Sequence, residues 1–201
     1  PRSTLFPYTT LFRSGVVNCP GWAVSGGPWI TAELSMQRLI WAETRITGGQ
    51  RYTGQPARAK VSPRWDFYRE VALLAVPDGE SVAVEQVVDL TSRLQPDGTL
   101  DWETPPGNWK LYRFGHTTTG RMTNPLPDNY ESLEVDKLSE AASVFHIEQL
   151  LQSLRDNLGP VIGKEVRHIH FDSYEAGPTD WTADFPAQFQ AQHGYSLVPW
   201  L

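Results

Sequence analysis

The sequence predicts an α/β fold: strand–helix alternation of the barrel type, interrupted by a small antiparallel β unit. Three observations predict it. Short apolar runs between 68 and 120 are separated by Pro-Gly turn signals. A helical apolar period follows from Ser139. Directly after that period, a short strand runs into an acidic turn at Asp172–Glu175.

Taken in chain order, Pro1–Ser14 (PRSTLFPYTTLFRS) stands apart. It lacks the continuous apolar stretch of a signal peptide, and it reads, without a mismatch, as the translation of a sequencing-library adapter. Residues 1–14 are therefore expected to be a non-native tail, and the remainder a piece of a longer reading frame cut short at both ends. Residues 15–67 are expected to form a barrel segment. Within it Thr31 caps a helix through Leu34, Met36, Leu39, Ile40 and Trp41 to about Thr44, Gly48-Gly49 ends it, and Gln50–Arg64 is a loop.

Residues 68–120 are expected to be the inserted β unit. Val71–Val76 is a strand ending at Pro77-Asp78-Gly79, and Val82–Leu90 is a second β-branched run. Pro96-Asp97-Gly98 and Pro105-Pro106-Gly107 mark turns, and Trp109–Phe114 alternates as a further strand. Residues 121–201 return to barrel character. Ala141, Val144, Phe145, Leu151, Leu154 and Leu158 recur at helical steps until Gly159-Pro160. Val166–Phe171 is a strand, and a last helix runs from about Thr182 to His193, with Gly194 as its cap.

Composition narrows the function. Lys and Arg number 17 against 23 Asp and Glu, a formal charge of −6 that deepens to −8 without Arg2 and Arg13. With no basic run, the charge argues against nucleic acid and anionic membrane as partners. No apolar stretch approaches the roughly 18 residues of a membrane span. The lone Cys19 rules out an internal disulfide framework and a cysteine-based zinc site. Eight Trp and seven Tyr supply flat faces for stacking on sugars, though such residues also fill cores. Oligomeric state is not set by any of this.

The stretch His168-Ile169-His170-Phe171-Asp172-Ser173-Tyr174-Glu175 bears the most chemistry. Glycosidic cleavage uses two carboxyl groups flanking the bond, and a carboxylate just past a strand end is where an α/β barrel displays its active residues. The bland account makes Asp172 a turn cap and Glu175 a solvated charge. His168 and His170 read either as core histidines or as metal ligands. Asp136 and Lys137, in Glu131–Ser139, read as a sugar-binding pair or as charge complementing a helix start capped by Asp136 or Ser139. Ser25-Gly26-Gly27-Pro28-Trp29 lets Trp29 stack on a ring or fill a core. Arg113–Gly120, which contains His116, offers threonine hydroxyls or simply finishes the β unit.

Together these stretches resemble the α-L-rhamnosidase family of glycoside hydrolases, family 106. The resemblance rests on Gly21-Trp22 with Ser25–Trp29, Tyr68–Ala75, Arg113–Gly120, Glu134–Ser139, Phe171–Glu175 with Asp180-Trp181-Thr182, and Gly194-Tyr195 followed by Pro199. It implies a (β/α)8-type catalytic domain, here incomplete because such barrels take about 250 residues. It further implies inverting removal of terminal α-L-rhamnose from plant-type polysaccharide or glycoside, in an extracellular or periplasmic enzyme. It assigns Glu175 as one catalytic carboxylate, acid in preference to base. Sugar contacts are expected from Trp29, His116, Asp136, Lys137, His170, Asp172 and Trp181. The resemblance raises calcium near the site, but no metal-ligand pattern here indicates it, and no cofactor is expected. No partner carboxylate is recognisable, so the chain alone is expected to be inactive. A non-catalytic carbohydrate-binding relative, and a β-rich interaction module at 68–120, stand as alternatives.

Overall fold

The computed structural model describes residues 14–126 and 130–201. The adapter-like stretch, Ser14 excepted, therefore lies outside the described residues. The described residues form ten strands: β1 Ser14–Asn18, β2 Gly26–Gly27, β3 Gln37–Thr47, β4 Arg51–Gly54, β5 Arg69–Pro77, β6 Val88–Asp89, β7 Leu100–Glu103, β8 Asn108–Thr118, β9 Leu133–Glu134 and β10 Val166–Phe171. Two α-helices accompany them among the described residues, α1 Glu140–Leu158 and α2 Phe185–His193. The chain divides into two compact units: Pro1–Met36 with Thr119–Thr179, and Gln37–Thr118 with Asp180–Leu201.

The second unit is built on a four-stranded sheet of order β3-β8-β5-β6 and a two-stranded sheet β4-β7, with every pairing antiparallel. β5 carries the apolar run Val71–Val76 and buries both its faces. On one side Leu73 and Ala75 pack with Leu90, Leu100, Trp102, Trp109 and Leu111. On the other, Ala72 and Leu74 pack with Phe114, and Leu39, Val198 and Leu201 close over them. Trp102 and Trp109 meet edge-on at 5.4 Å, a favoured aromatic geometry. Arg113 is drawn into this unit because Glu70 accepts from its Nε and Nη2 (2.8 Å to Nη2) and the Pro56 carbonyl accepts from Nη1. A buried guanidinium is tolerated when its donors are matched in this way.

Four expectations are corrected. The first is the (β/α)8-type barrel: the described residues form small sheets with two helices, and β1–β10 is their one parallel pair. The strands from β3 to β8 pair only antiparallel, an arrangement that needs none of the helical crossovers from which such a barrel is built. The second is the helix from Thr31 to Thr44: residues 31–36 form turns and an isolated bridge, and from Gln37 the chain is the eleven-residue strand β3. Its apolar spacing also fits a two-residue alternation, and pairing along the whole of β8 decides between the two periods. Gly48 and Gly49 then serve a strand turn rather than a helix end. The third is the loop at Gln50–Arg64, which contains β4. The fourth is the run Val82–Leu90, which forms a strand only at Val88–Asp89.

The first unit contains the parallel pair β1–β10, the short antiparallel pair β2–β9, and α1. α1 begins where the sequence places it, with the Ser139 hydroxyl accepting from the Ala142 N–H, and ends at Gly159. Its buried stripe is Ala142, His146 and Leu150, while Val144 and Leu158 are exposed. The apolar residues marked this helix correctly, but the polar His146 occupies its covered face.

Replacing Leu111 by Ala should lower unfolding stability by about 2–5 kcal/mol, since a central strand loses a fully buried side chain. Urea titration followed by tryptophan emission tests this. A loss below roughly 0.5 kcal/mol would mean that the Trp102–Trp109 cluster is not the packed core described here.

Candidate active site

The acidic turn after β10 is where the first unit gathers its chemistry. The Glu175 N–H donates to the Pro20 carbonyl at 2.9 Å, which ties the turn to the Cys19–Trp22 segment. Each carboxylate oxygen of Glu175 has its own donor: Trp22 Nε1 to Oε2 at 3.0 Å, and Ser173 Oγ to Oε1 at 3.0 Å. Cys19 Sγ lies 3.0 Å from the Ser173 carbonyl and steadies the same turn. Gly21 takes a φ of +101°, and a Cβ there would meet the Glu175 backbone at 2.9 Å. Only glycine lets the two segments approach so closely.

Gly21, Trp22, Arg121, Asn124, Pro125 and Glu175 line a cleft of about 420 Å³. Glu175 is the single carboxylate among these lining residues. Asn124 is held there by its N–H to the Gly21 carbonyl at 3.0 Å, and Arg121 by its carbonyl accepting from the Glu134 N–H at 2.9 Å.

Behind the cleft stands Glu134, fully buried on β9. It accepts from the Gly21 N–H at 2.8 Å, from the Ser25 hydroxyl and from Lys137 Nζ. A buried carboxylate is stable only when so matched, and here the matching fixes the turn that presents Trp22. Nearby, Trp29 Nε1 donates to His146 Nδ1 at 3.1 Å, and His146 Nε2 lies 3.0 Å from the Val24 carbonyl. The indole can only donate and the carbonyl can only accept, so the imidazole is neutral with its proton on Nε2. Burial accordingly holds the His146 pKa below the usual imidazole range.

The expected site residues therefore separate. Glu175 lines the cleft. Trp29 is half-buried against His146 rather than presented as an open platform. Lys137 is bound to Glu134, and Asp136, 3% exposed, caps its own turn through the Leu138 N–H. Asp172 is exposed, and its carboxylate accepts from the Ser173 N–H, while His170 lies 3.8 Å from Asp172 on the exposed side of β10. His168 is exposed too, so neither histidine is a core residue. No group of three or more metal-ligating side chains occurs among the described residues. His116 and Trp181 belong to the second unit, where their rings pack 6.5 Å apart and His116 Nδ1 meets Gln37 Oε1 at 3.2 Å. Sequence reasoning missed Trp22 and Ser173 as holders of Glu175, and Glu134 as their support. Gly21-Trp22 and Asp172-Ser173-Tyr174-Glu175 contained the signal, but nothing local joins two segments so far apart in sequence.

The family model described as alpha-L-rhamnosidase matches residues 10–63 and 58–201. The chain belongs to this glycoside hydrolase family. A relative from Formosa agariphila, provisionally named a beta-glucuronidase, is 32% identical over a 216-residue alignment that covers 92% of this chain and 18% of that protein. The rhamnosidase of Novosphingobium sp. PP1Y superposes with a TM-score of 0.79 at 20% identity, over 94% of this chain and 34% of that one, and so shares its fold. The rhamnosidase-family chain thus spans 18% of the curated relative and 34% of the solved structure. No described helix is long and apolar enough to cross a membrane.

Because the folded-state pKa of His146 is depressed, its stabilising contribution is complete above the unfolded value of about 6.5 and is lost as pH falls through the folded value. Thermal unfolding should show a melting temperature that drops below pH about 6.5, and a His146→Gln variant should show a flatter profile there. Equal slopes in the two proteins would place the titration elsewhere.

Proposed function

We propose that this chain supplies the Glu175 side of the active site of a glycosidase that removes terminal α-L-rhamnose by inversion. The observation that carries the proposal is the Glu175 carboxylate, held by Trp22 and Ser173 on the wall of a cleft of monosaccharide size. General acid–base catalysis needs a proton-transferring group fixed in direction. The Trp22 indole can only donate, so Oε2 stays an acceptor in both protonation states. The Ser173 hydroxyl can donate to a carboxylate or turn and accept from a carboxylic acid. Proton exchange with substrate therefore runs through Oε1, towards the leaving-group oxygen when Glu175 is the acid, or from water when it is the base.

An inverting partner carboxylate sits roughly 6.5–9.5 Å across the bond. Glu134 does not fit this role, since all its donors are internal and it is buried. The partner is assigned to the part of the protein beyond this chain, which makes the 201-residue chain inactive alone. The extracellular or periplasmic setting belongs to the same proposal. The single carboxylate in the cleft also favours a second reading, a relative that binds carbohydrate without cleaving it.

In the complete protein, Glu175→Gln should lower turnover of an aryl α-L-rhamnoside by about 10²- to 10⁴-fold while leaving thermal unfolding unchanged. Near-normal hydrolysis would refute the assignment. An aryl β-glucuronide assayed in parallel decides the sugar, since one relative is named for that substrate. No hydrolysis of either by the intact wild type would favour the binding-only reading.

A further inference from the structure

His146 lies inside the first unit, 2% exposed, and the proton-transfer chemistry makes no use of it. Its ring closes a loop. Trp29 Nε1 donates to Nδ1 and Nε2 donates to the Val24 carbonyl, so one imidazole holds both ends of segment 24–29. A Cβ on Gly27 would collide with the Trp29 indole, a sign of how closely that segment folds over itself.

The segment so held carries Ser25. Its hydroxyl donates to Glu134, its N–H donates to the Trp22 carbonyl at 2.9 Å, and its carbonyl accepts from the Val135 N–H at 3.2 Å. The Gly21 N–H reaches the same hydroxyl at 3.3 Å. A path of bonds therefore runs from His146 through Val24 and Ser25 to Trp22, and from the Trp22 indole to Oε2 of Glu175.

We propose that His146 is a positioning residue for Glu175: the neutral ring holds the turn that aims Trp22, and protonation releases that turn. The neutral imidazole accepts at Nδ1, whereas the imidazolium has a donor on each nitrogen. A proton added at Nδ1 sets one N–H against the Trp29 N–H, which can only donate, and the staple opens at that end. The ring borders a cavity of about 180 Å³, also lined by Asn18, Lys137, Ser143 and Asp172, through which water can bring that proton. Among the described residues, the charged groups around the ring pull both ways. Lys137, ahead of α1, opposes a charge on it, Glu134 from β9 favours one, and Asp172 from the turn after β10 shares the cavity. Val24 and Trp29, on the remaining side, carry no charge. Burial outweighs these effects and disfavours the imidazolium, so the release falls on the acid side of the usual imidazole range. The proposal rests on the catalytic reading of Glu175 only for its effect on turnover.

The test uses the 201-residue chain, with indole and imidazole nitrogens followed by ¹⁵N NMR. Trp22→Phe and Trp29→Phe assign their signals among the eight tryptophans. As pH falls from about 7 to about 5, both signals should shift with the midpoint of the His146 ring nitrogens. In His146→Gln, whose amide can accept from Trp29 and donate to Val24 without titrating, neither should move. Glu175→Gln should leave the Trp22 transition in place, which separates it from titration of the acid itself. A Trp22 signal that ignores the His146 midpoint, persists in folded His146→Gln or disappears in Glu175→Gln would overturn the proposal. The wild-type midpoints decide the question even where the glutamine variant does not fold. In the complete protein, the acid limb of kcat for an aryl α-L-rhamnoside should move down by about one pH unit in His146→Gln. An unmoved limb would likewise overturn the positioning role. Absence of hydrolysis by the complete wild type would instead sink the catalytic reading and leave the indole coupling standing, so the two failures are told apart.

Discussion

The first unit depends on one buried carboxylate. Glu134 has no exposed surface, and an unpaired ionised group in that position would cost several kcal/mol. The chain meets this cost by bringing a backbone N–H from Gly21, a hydroxyl from Ser25 and an ammonium from Lys137 to one side chain. Two segments more than a hundred residues apart are thereby forced into a single arrangement. The positive φ of Gly21 follows from that arrangement, and so does the direction of Trp22, whose N–H reaches Glu175. The catalytic candidate is exposed and sits on a turn, yet its orientation is inherited from a group that never meets solvent.

This dependence explains what the sequence disclosed and what it withheld. Features whose cause is local were legible. The doubly apolar Val71–Val76 run became β5. Ser139 became a helix cap, Val166–Phe171 became β10, and Gly194 adopted the left-handed cap after α2. Features whose cause is distant were not. Leu39, Ile40 and Trp41 continue the helical step from Leu34, and only pairing with β8 from Gln37 onwards selects the strand. The barrel expectation failed for the same reason: strand and helix content can be read locally, but whether strands pair parallel or antiparallel depends on partners the local pattern does not name.

The site shows the same division. Glu175 stood out through the Asp172-Ser173-Tyr174-Glu175 motif of the resemblance, since locally a solvated turn charge accounts for it as well. Glu134, Asp136 and Lys137 formed one charged stretch in which two members looked functional and the third did not. The structure reverses the emphasis. Lys137 and Asp136 serve internal bonds, and Glu134 organises the turn. His146 was hidden still more completely, since a histidine on an otherwise apolar helix face gives no hint that Trp29 and the Val24 carbonyl will fix its tautomer.

A separation of roles follows from where these bonds lie. The groups that aim Glu175, namely Trp22, Ser173 and behind them Glu134, contact its carboxylate or the backbone. Arg121 and Asn124 contribute to the fold mainly through backbone atoms, so their side chains can change without disturbing the acid. Such an arrangement can hold the direction of the Glu175 carboxylate constant while the surrounding exposed side chains vary. In such a design, specificity is read from exposed side chains on a constrained backbone, and chemistry from the buried network that constrains it.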